Sequence, residues 1–348
     1  MHKKTGRTTI KEVASQAGVS TQTVSRVING RPDVSPETRK RVQDVISSLE
    51  YQPSALARSL IRQRSHTLGV VTAGLSYMGP SLTLSGIASV AEAFGYSLLL
   101  KELPNFDTNE VTPIIQSFLS RHVDGIIWAV PEIGKNHSWV DGSVLDMEVP
   151  LVYLTMEPRK NISVVSIDNY LGGRMAMDHL LEQGYQKIGH ISGPLDWWEA
   201  RQRMAAWRDT LQERGVEVKD CHYVEGNWSS ASGVKAIGKL LDQYPDMDSI
   251  FIANDQMALG VIQFAVQRDL HIPEDIGIVG FDNIAESAYF SPPLTTVQQD
   301  QYHIAKLAVA EIINIIEAGW QESEQVEPQS ILLAPTLVVR QSSMRTKE

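Results

Sequence analysis

Short apolar runs alternate with longer amphipathic stretches from Thr67 onward, and this alternation restricts the possible folds more than any other feature of the sequence. Strands that are separated by helices pair in parallel, and they are apolar along their length because helices cover both faces of the sheet. The runs of this kind span residues 67–73, 96–103, 124–130, 149–154, 187–193, 249–255 and 276–282. Together with the helical stretches between them they are too numerous for one small sheet, so we predict an α/β body of two doubly wound parallel-sheet subdomains.

Length and composition indicate a globular protein with more than one folding unit. The chain has 348 residues, of which 43% are hydrophobic and 21% are charged, and one ordinary core does not extend over such a length. No apolar run is long enough to span a bilayer, and residues 1–30 lack the apolar block of a secretory signal. Cys221 is the single cysteine, which excludes an intrachain disulfide and argues against a cysteine-based metal site. We therefore expect a cytoplasmic protein that does not use a membrane.

The formal net charge of −10 conceals a strong asymmetry along the chain. Residues 1–66 contain 12 Lys and Arg against 5 Asp and Glu, a balance of +7, whereas the remaining residues have a balance of −17. A basic head can bind a polyanion locally while an acidic body stays soluble and repels it. A merely solvated basic terminus would have the same balance, so charge alone leaves both interpretations open.

Residues 1–50 carry the start and stop signals of three short helices. Residues 9–12, TIKE, form a capping box that starts the first helix, and Gly18 ends it in the left-handed conformation. Ser20 can cap the second helix, and Pro36 stands at the first position of the third. Two helices joined by a glycine-containing turn and braced by a third helix are typical of a helix-turn-helix unit. We therefore predict a small all-α head that binds DNA.

The second helix has an apolar face and an unusual polar face. Val24, Val27 and Ile28 recur at helical spacing and can face a core. The opposite face holds Thr21, Gln22, Ser25, Arg26 and Asn29. In a helix-turn-helix unit the N-terminal part of this helix meets base edges, where an amide suits adenine and a guanidinium suits guanine. We predict that Gln22 and Arg26 read bases, that Thr21 touches a base or a thymine methyl, and that Asn29 meets a phosphate or a turn.

The segment 51–66, YQPSALARSLIRQRSH, can form a helix of two turns after Pro53. A helix this short is marginal in water and needs a partner. Leu56 and Leu60, one turn apart and next to arginines, suit insertion into a minor-groove step that bends the duplex. A flexible linker whose leucines dock on the body fits the same spacing, so the residues leave both alternatives open.

The order TIKEVASQAGVS, TVSRVING, VSPETRKRV and YQPSALARSL resembles the head of the LacI/GalR family of bacterial transcription regulators. The resemblance implies that Thr21 and Gln22, after the GVS turn, read the operator, and that Ser25, Arg26 and Asn29 touch bases or phosphates. It also implies that residues 54–60 form a hinge helix that is ordered only on DNA. Ala57 and Leu60 are then hinge contacts with DNA, and two subunits insert Leu60 at the central step of a near-palindromic site.

The resemblance extends over the whole chain and implies a body of the periplasmic-binding-protein type. We predict a head at 1–50, a hinge helix and linker at 51–66, a body at 67–342 and a tail at 343–348. The body would consist of two interleaved subdomains, about 67–168 with 299–327 and 169–298 with 328–342. No leucine heptad follows the last strand, so a tetramer formed through such a tail is not expected.

Polar side chains follow several of the predicted strands. Ligands of doubly wound sheets bind at the carboxyl ends of the strands, and these ends carry residues 193–196, 254–255 and 282–283, with Arg203 and Trp228 nearby. Carboxylates, amides and a guanidinium satisfy vicinal hydroxyls, and an aromatic face covers the apolar side of a sugar ring. These residue types indicate a polyhydroxyl ligand.

The family resemblance implies the same cleft in more detail. GPLDWWEARQRMAAW matches the segment whose second arginine clamps the effector, and ANDQMALG and GFDN match motifs that face the cleft. The effector-binding residues implied in this way are Tyr77, Arg203, Trp228, Asn254 and Asp282. Thr155 stands where some sugar-responsive members place an aspartate.

Some of these residues also fit simple structural roles. Asn254 and Asp282 could cap helices after strands, and Arg201 fits a surface or interdomain salt bridge better than a ligand contact. Trp207 fits a core position, and at most one of the adjacent Trp197 and Trp198 should face the cleft.

The sequence lacks the parts of an enzyme. It contains no Gly-x-Gly-x-x-Gly after the first strand, no phosphate-binding GK[S/T] loop, no Gly-x-Ser-x-Gly elbow and no H-E-x-x-H. We predict a cofactor-free, homodimeric, DNA-binding repressor of carbohydrate genes, whose affinity for a near-palindromic operator is switched by a small sugar. Control by a purine or a metabolic phosphate is the alternative. A solute receptor would share the body but would have no use for residues 1–60.

Overall fold

The computed structural model describes residues 8–51, 64–106, 111–134, 149–320 and 326–345. The chain divides into two compact units, with the boundary between His66 and Thr67. The predicted hinge helix at 54–60, with Ala57 and Leu60, lies outside the described residues. None of the helices within the described ranges has the length and apolar character required to span a lipid bilayer.

The first unit contains the predicted helix-turn-helix. Its helices are α1 (Ile10–Ala17), α2 (Thr21–Ile28) and α3 (Pro36–Ser48). The capping box is formed, since the Thr9 N–H donates to Glu12 Oε2 at 2.6 Å and the Glu12 N–H donates to Thr9 Oγ1 at 3.4 Å. Gly18 has a φ of 64°, and the Ser20 hydroxyl accepts from the Thr23 N–H at 3.1 Å. Val13, Val24 and Val42 are fully buried where the three helices meet.

The first sheet of the body contains β1 (Thr67–Ala73), β2 (Ser97–Leu103), β3 (Gly125–Ala129), β4 (Leu151–Leu154), β5 (Ser163–Ile167) and β11 (Ser330–Leu333). All of its pairings are parallel, in the order β11-β5-β4-β3-β1-β2. Helices α4 (Met78–Ala93) and α10 (Gln301–Trp320) cover one face, and α5 (Val111–Leu119) covers the other. Val70 and Val71 in β1 are both fully buried because successive side chains point to opposite covered faces.

The second sheet contains β6 (Ile188–Ser192), β7 (Tyr223–Glu225), β8 (Ser249–Ile252), β9 (Gly277–Asp282), β10 (Thr295–Gln298) and β12 (Thr336–Val338). Its order is β12-β10-β9-β8-β6-β7, and β12 alone in this sheet runs antiparallel to its neighbour. Helices α6 (Asn169–Glu182) and α7 (Trp198–Glu213) cover one face, whereas α8 (Ser230–Gln243) and α9 (Asp255–Gln267) cover the other. Trp207 is a core residue, as predicted, and its indole N–H donates to the Ile188 carbonyl at 3.1 Å. The predicted doubly wound α/β body is confirmed.

The chain crosses between the two sheets after β5, after β10 and after β11. The assignment of 328–342 wholly to the second subdomain is wrong, because β11 pairs with β5 in the first sheet and only β12 joins the second. The side chains of β11 alternate between exposed and half-buried. A four-residue strand at the edge of a sheet lacks the continuous apolar run that would show where it pairs.

The predicted tail also begins too early. Residues 341–343 form a 3-10 turn in which Ser342 and Ser343 are fully buried. The Ser342 hydroxyl donates to the Ile278 carbonyl at 2.7 Å, and the Ser343 hydroxyl lies 2.7 Å from His179 Nε2. Small hydroxyl side chains gave no apolar signal, yet their hydrogen bonds attach this segment to the second sheet.

Candidate functional site

The polar face of α2 forms an exposed surface on the helix-turn-helix unit. Thr21, Gln22 and Arg26 are exposed, while Ser25 is half-buried. Val24 and Val27 on the opposite side are buried and fix the rotation of the helix. Arg26 Nη1 lies 3.4 Å from Asp33 Oδ2, and both side chains are about half exposed. An exposed pair of this kind is worth less than about 1 kcal/mol, so the guanidinium can exchange this carboxylate for another partner.

Asn29 and Ser20 have local structural roles. Asn29 stands at the C-cap of α2 and its Nδ2 donates to the Ser25 carbonyl at 2.8 Å and to Ser25 Oγ at 3.3 Å. This is the turn contact that was one of the two alternatives for Asn29. Ser20 caps α2, as predicted.

A cleft opens at the carboxyl ends of the strands of both sheets. Its lining residues follow these ends, and five of them are the predicted effector-binding residues Tyr77, Arg203, Trp228, Asn254 and Asp282. The structure therefore brings all five to one cavity. The remaining lining residues include Thr83, Leu154, Thr155, Asn169, Trp197, Glu199, Gln299 and Gln301. The space between the lining atoms amounts to about 890 Å³, a figure that includes open solvent at the mouth of the cleft.

Arg203 is the buried cation of the cleft, with 4% of its surface exposed. Its Nε donates to Asn169 Oδ1 at 2.9 Å and its Nη1 donates to the Ala253 carbonyl at 2.5 Å. The guanidinium carbon lies 3.7 Å from the centre of the Phe281 ring. These contacts hold the guanidinium in place before any ligand arrives, and its burial lowers the pKa of Arg203.

Asn254 and Asp282 lie on either side of this arginine in the second sheet. Asn254 Oδ1 caps α9 by accepting from the Met257 N–H at 2.9 Å, and its Nδ2 donates to the Trp228 carbonyl at 3.0 Å. Asn254 is thus both the cap that we considered and a lining residue. Asp282 Oδ1 accepts from Gln299 Nε2 at 2.5 Å and lies 4.0 Å from Arg203 Nη1.

The cleft contains two carboxyl groups whose charge is disfavoured. Burial raises the pKa of Asp282 to about 6, although Arg203 and the Gln299 hydrogen bond favour its charged form. Burial raises the pKa of Glu199 to about 7, and its Oε2 has no hydrogen-bond partner among the described residues. Glu199 has 8% of its surface exposed. An unpaired buried carboxyl oxygen in a cavity is a ready acceptor or donor for a ligand hydroxyl.

Aromatic rings form a continuous row beside these polar groups. The Trp228 ring lies 5.6 Å from the Arg203 guanidinium carbon, and its buried indole nitrogen has no hydrogen-bond partner among the described residues. Trp197 contacts Trp228 with ring centres 5.6 Å apart, and Phe106 contacts Trp197 at 4.8 Å. Tyr77 lies 6.0 Å from Phe106. The row therefore runs from the second subdomain into the first.

Three lining residues have backbone conformations that favour glycine. The φ angles are 55° for Thr155, 69° for Trp228 and 119° for Asp282. Such conformations cost about 1–3 kcal/mol each outside glycine and cluster at ligand-binding and catalytic sites. Their concentration around one cavity is evidence for a binding role that is independent of side-chain chemistry.

The structure also shows where the adjacent tryptophans and Arg201 lie. Trp197 lines the cleft whereas Trp198 is buried, so one of the two tryptophans faces it. Arg201 does not line the cleft, and instead of a salt bridge it donates from Nη1 to the carbonyls of Leu195 and Asp196, at 3.2 and 2.8 Å.

Sequence reasoning missed Glu199, Asn169 and Gln299 as lining residues. Glu199 and Asn169 lie at the starts of α7 and α6, where an acidic or amide side chain reads as an ordinary helix-start residue. Their positions could have indicated a place in the cleft. Glu199 follows a predicted strand, and Asn169 follows the predicted boundary between the two subdomains.

Two family models match the chain. The model of bacterial regulatory proteins of the lacI family matches residues 9–54, and the periplasmic binding protein-like domain matches residues 177–343.

Full-length relatives are similar to this chain along nearly all of its length. Catabolite control protein A of Priestia megaterium is 33% identical over 96% of this chain and 99% of its own. The ribose operon repressor of Escherichia coli K12 is 32% identical over 96% and 99%. The HTH-type transcriptional repressor PurR of Haemophilus influenzae PittEE is 31% identical over 96% and 98%. These relatives are transcription regulators and not enzymes, which agrees with the prediction from the missing enzyme motifs.

A solved structure with a similar fold matches nearly the whole length of this chain. The crystal structure of the lac repressor dimer bound to operator and the anti-inducer ONPF has a TM-score of 0.87 and 29% identity. The match covers 98% of this chain and 100% of that one.

Proposed function

This chain belongs to the lacI family of bacterial regulatory proteins, DNA-binding repressors that small molecules regulate, and we propose that a neutral sugar in the body cleft switches its affinity for operator DNA. The genes under its control would be carbohydrate genes. The observation that carries the proposal is the single buried guanidinium of Arg203 flanked by the carboxyl groups of Asp282 and Glu199.

The charges of the cleft favour a neutral ligand over a phosphate. Phosphate sites normally offer several cationic donors or free backbone N–H groups to the oxygens. Here Arg203 is the one Lys or Arg in the described lining, and two carboxyl groups share its surroundings. A sugar hydroxyl donates and accepts, so it can pair with the Glu199 carboxyl, the Asp282 carboxyl and the free indole N–H of Trp228.

The α2 surface is the proposed DNA-reading face. Thr21 and Gln22 at its N-terminal end would contact base edges, and Arg26 would contact a guanine or a phosphate, since all three side chains are exposed. Ser25 and Asn29 are proposed as further contacts near the phosphate backbone. The hinge contacts of Ala57 and Leu60 remain predictions from the family resemblance.

We propose that the protein acts as a cytoplasmic homodimer. Two heads that read half-sites about one helical turn apart require a twofold arrangement of subunits, and the related lac repressor was solved as a dimer on operator DNA. Ligand closure of the cleft would move the first subdomains of the dimer and so join or separate residues 54–60. Because a short hinge helix is marginal, a small displacement changes operator affinity.

Thermal shift measurements against mono- and disaccharides, sugar phosphates and nucleobases test the proposal. We expect a neutral sugar to raise the melting temperature of the wild type and to change its affinity for operator DNA. Asp282→Asn keeps the side-chain volume and should abolish both effects. Arg201→Gln is the control for the loss of a charge near the cleft, since Arg201 lies on α7 with Arg203 but outside the cleft lining.

The outcomes separate the two effector classes. A sugar that stabilises the wild type and the Arg201 variant but not the Asp282 variant supports the proposal. Stabilisation by a nucleobase or phosphate alone would replace it with the alternative, in which Trp228 stacks on a base.

A further inference from the structure

Two cleft residues occupy positions where helices normally begin with a capping side chain. Tyr77 is the N-cap of α4 and Trp197 is the N-cap of α7, and neither side chain makes a capping hydrogen bond. In contrast, Asp168, Ser229 and Asn254 cap α6, α8 and α9 with their side chains. Loss of a capping side chain costs about 0.5–2 kcal/mol. The aromatic side chains at these two N-cap positions therefore indicate a role other than capping the helix.

The second observation is the angle between the two tryptophan rings. Trp197 and Trp228 both line the cavity, and their planes meet at 68° with ring centres 5.6 Å apart. One sugar ring cannot lie parallel to both planes. Two indoles at this angle can stack only on different rings of one ligand, and the short distance between them suits two rings joined by one linkage.

The polar groups are divided unevenly along this row of rings. Trp228 lies beside Arg203, and Glu199 and Asp282 act on the same guanidinium. Trp197 is held instead by Phe106, at 4.8 Å and 68°, in a contact that joins the two subdomains. The first subdomain contributes apolar lining residues, namely Pro80, Ala129, Pro131, Leu154 and Ile167, together with the uncharged polar residues Thr83, Thr155 and Gln301.

From this geometry we propose that the effector has two sugar rings, as in a disaccharide. The first ring binds to Arg203, Asp282 and Trp228 through its hydroxyls and one face. The second ring stacks on Trp197 and faces Tyr77, so it contacts both subdomains. The inference rests on the proposed function, that a neutral sugar is the effector.

Isothermal titration calorimetry of the full chain tests it, with glucose, galactose, cellobiose, lactose and maltose as the probes. We expect one disaccharide to bind about tenfold more tightly than either of its constituent monosaccharides. Trp197→Leu, which keeps an apolar side chain but removes the ring, should lower disaccharide affinity about tenfold and leave monosaccharide affinity within about twofold.

Two further variants separate stacking from general damage. Trp197→Tyr restores an aromatic face and should recover most of the disaccharide affinity. Trp320→Leu is the matched control, because Trp320 is exposed at the end of α10 and does not line the cleft, and it should bind like the wild type.

The results distinguish this inference from the function on which it rests. If a monosaccharide binds as tightly as every disaccharide, and Trp197→Leu changes nothing, the two-ring effector is wrong while the sugar effector stands. If no saccharide of either size binds, the sugar effector itself is overturned.

Discussion

Glu199 keeps an ionisable group in surroundings that disfavour its charge. Burial raises its pKa from an ordinary 4.5 to about 7, so the folded protein binds a proton that the unfolded chain has lost. The stability associated with this proton is fully present below about pH 4.5 and is lost as the pH rises through about 7. Glu199 therefore opposes folding in neutral and alkaline solution.

We predict that Glu199→Gln raises the free energy of unfolding by up to about 3 kcal/mol at pH 8 and changes it little at pH 4.5. Urea denaturation of both proteins at the two pH values measures this difference. Glu225→Gln, at the exposed end of β7, is the control for the loss of an acidic side chain at the surface. If Glu199→Gln changes the free energy of unfolding equally at both pH values, proton binding by Glu199 is not the cause of the change.

Thr155 pairs a β-branched side chain with a φ of 55°. This conformation is unfavourable for threonine and tolerated by asparagine. Thr155→Asn should therefore raise the free energy of unfolding by about 1 kcal/mol. Chemical denaturation measures the change, and a lower stability would show that the hydrogen bond from Thr155 Oγ1 to the Leu154 carbonyl, at 2.7 Å, matters more than the backbone.

For single residues, the sequence predicts which side chains line the cleft better than it predicts their backbone angles or pKa values. Tyr77, Arg203, Trp228, Asn254 and Asp282 all line one cavity. Asn254 and Asp282 stand at the ends of predicted apolar runs, where ligands of such sheets bind, whereas Tyr77 was implied by the family resemblance. The strained backbone of Thr155 and the raised pKa of Glu199 depend on neighbours far away in sequence. No local pattern contains that information.

Helix α2 has one face that packs on the core and one face that is exposed. Val24 and Val27 hold it on the core, and Gln22 near its N-terminus is exposed. We predict that Gln22→Ala weakens operator binding by about 1–3 kcal/mol and relaxes the base preference at one position of each half-site. Selection from a randomised duplex library with both proteins measures the preference. Gln16→Ala on the exposed face of α1 is the control and should leave the preference unchanged.

A second prediction concerns the proposed hinge helix at residues 54–60. If two short helices insert Leu60 at the central step of the operator, Leu60→Ala should weaken specific binding more than binding to random DNA. Titrations of operator and random duplexes at one salt concentration compare the two. Equal losses on both would remove the hinge from the mechanism.

Strand prediction succeeded where a strand is continuously apolar and failed where it is not. The seven predicted runs contain β1 to β4, β6, β8 and β9, whereas β5, β7, β10, β11 and β12 were not predicted. Of these, β10 reads TTVQ, and the hydroxyls of its buried Thr295 and Thr296 donate to the Arg340 carbonyl and to Asp255 Oδ1. Polar residues that are buried with their partners look like loop residues in a sequence.

Across the whole molecule, the basic head and the acidic body have opposite effects on DNA binding. The balances of +7 and −17 place the attraction for phosphates within residues 1–66. We predict that affinity for random DNA falls at least about a hundredfold between 50 and 200 mM salt. Fluorescence anisotropy across that range measures the slope. Removal of a positive charge from the body, as in Arg208→Gln, should leave the slope unchanged, whereas Arg26→Gln should reduce it by about 1 per subunit.

The three crossings between the sheets affect how this protein is made. On the ribosome, β5 emerges about 160 residues before its edge partner β11, an interval of about 8–30 s at usual rates of synthesis. Helix α10, which covers one face of the first sheet, also arrives late. Strands β6 to β10 of the second sheet lie in one uninterrupted stretch. The subdomain that comes later in the chain can therefore assemble most of its sheet first, whereas the earlier subdomain keeps part of an apolar sheet face uncovered until α10 has been synthesised.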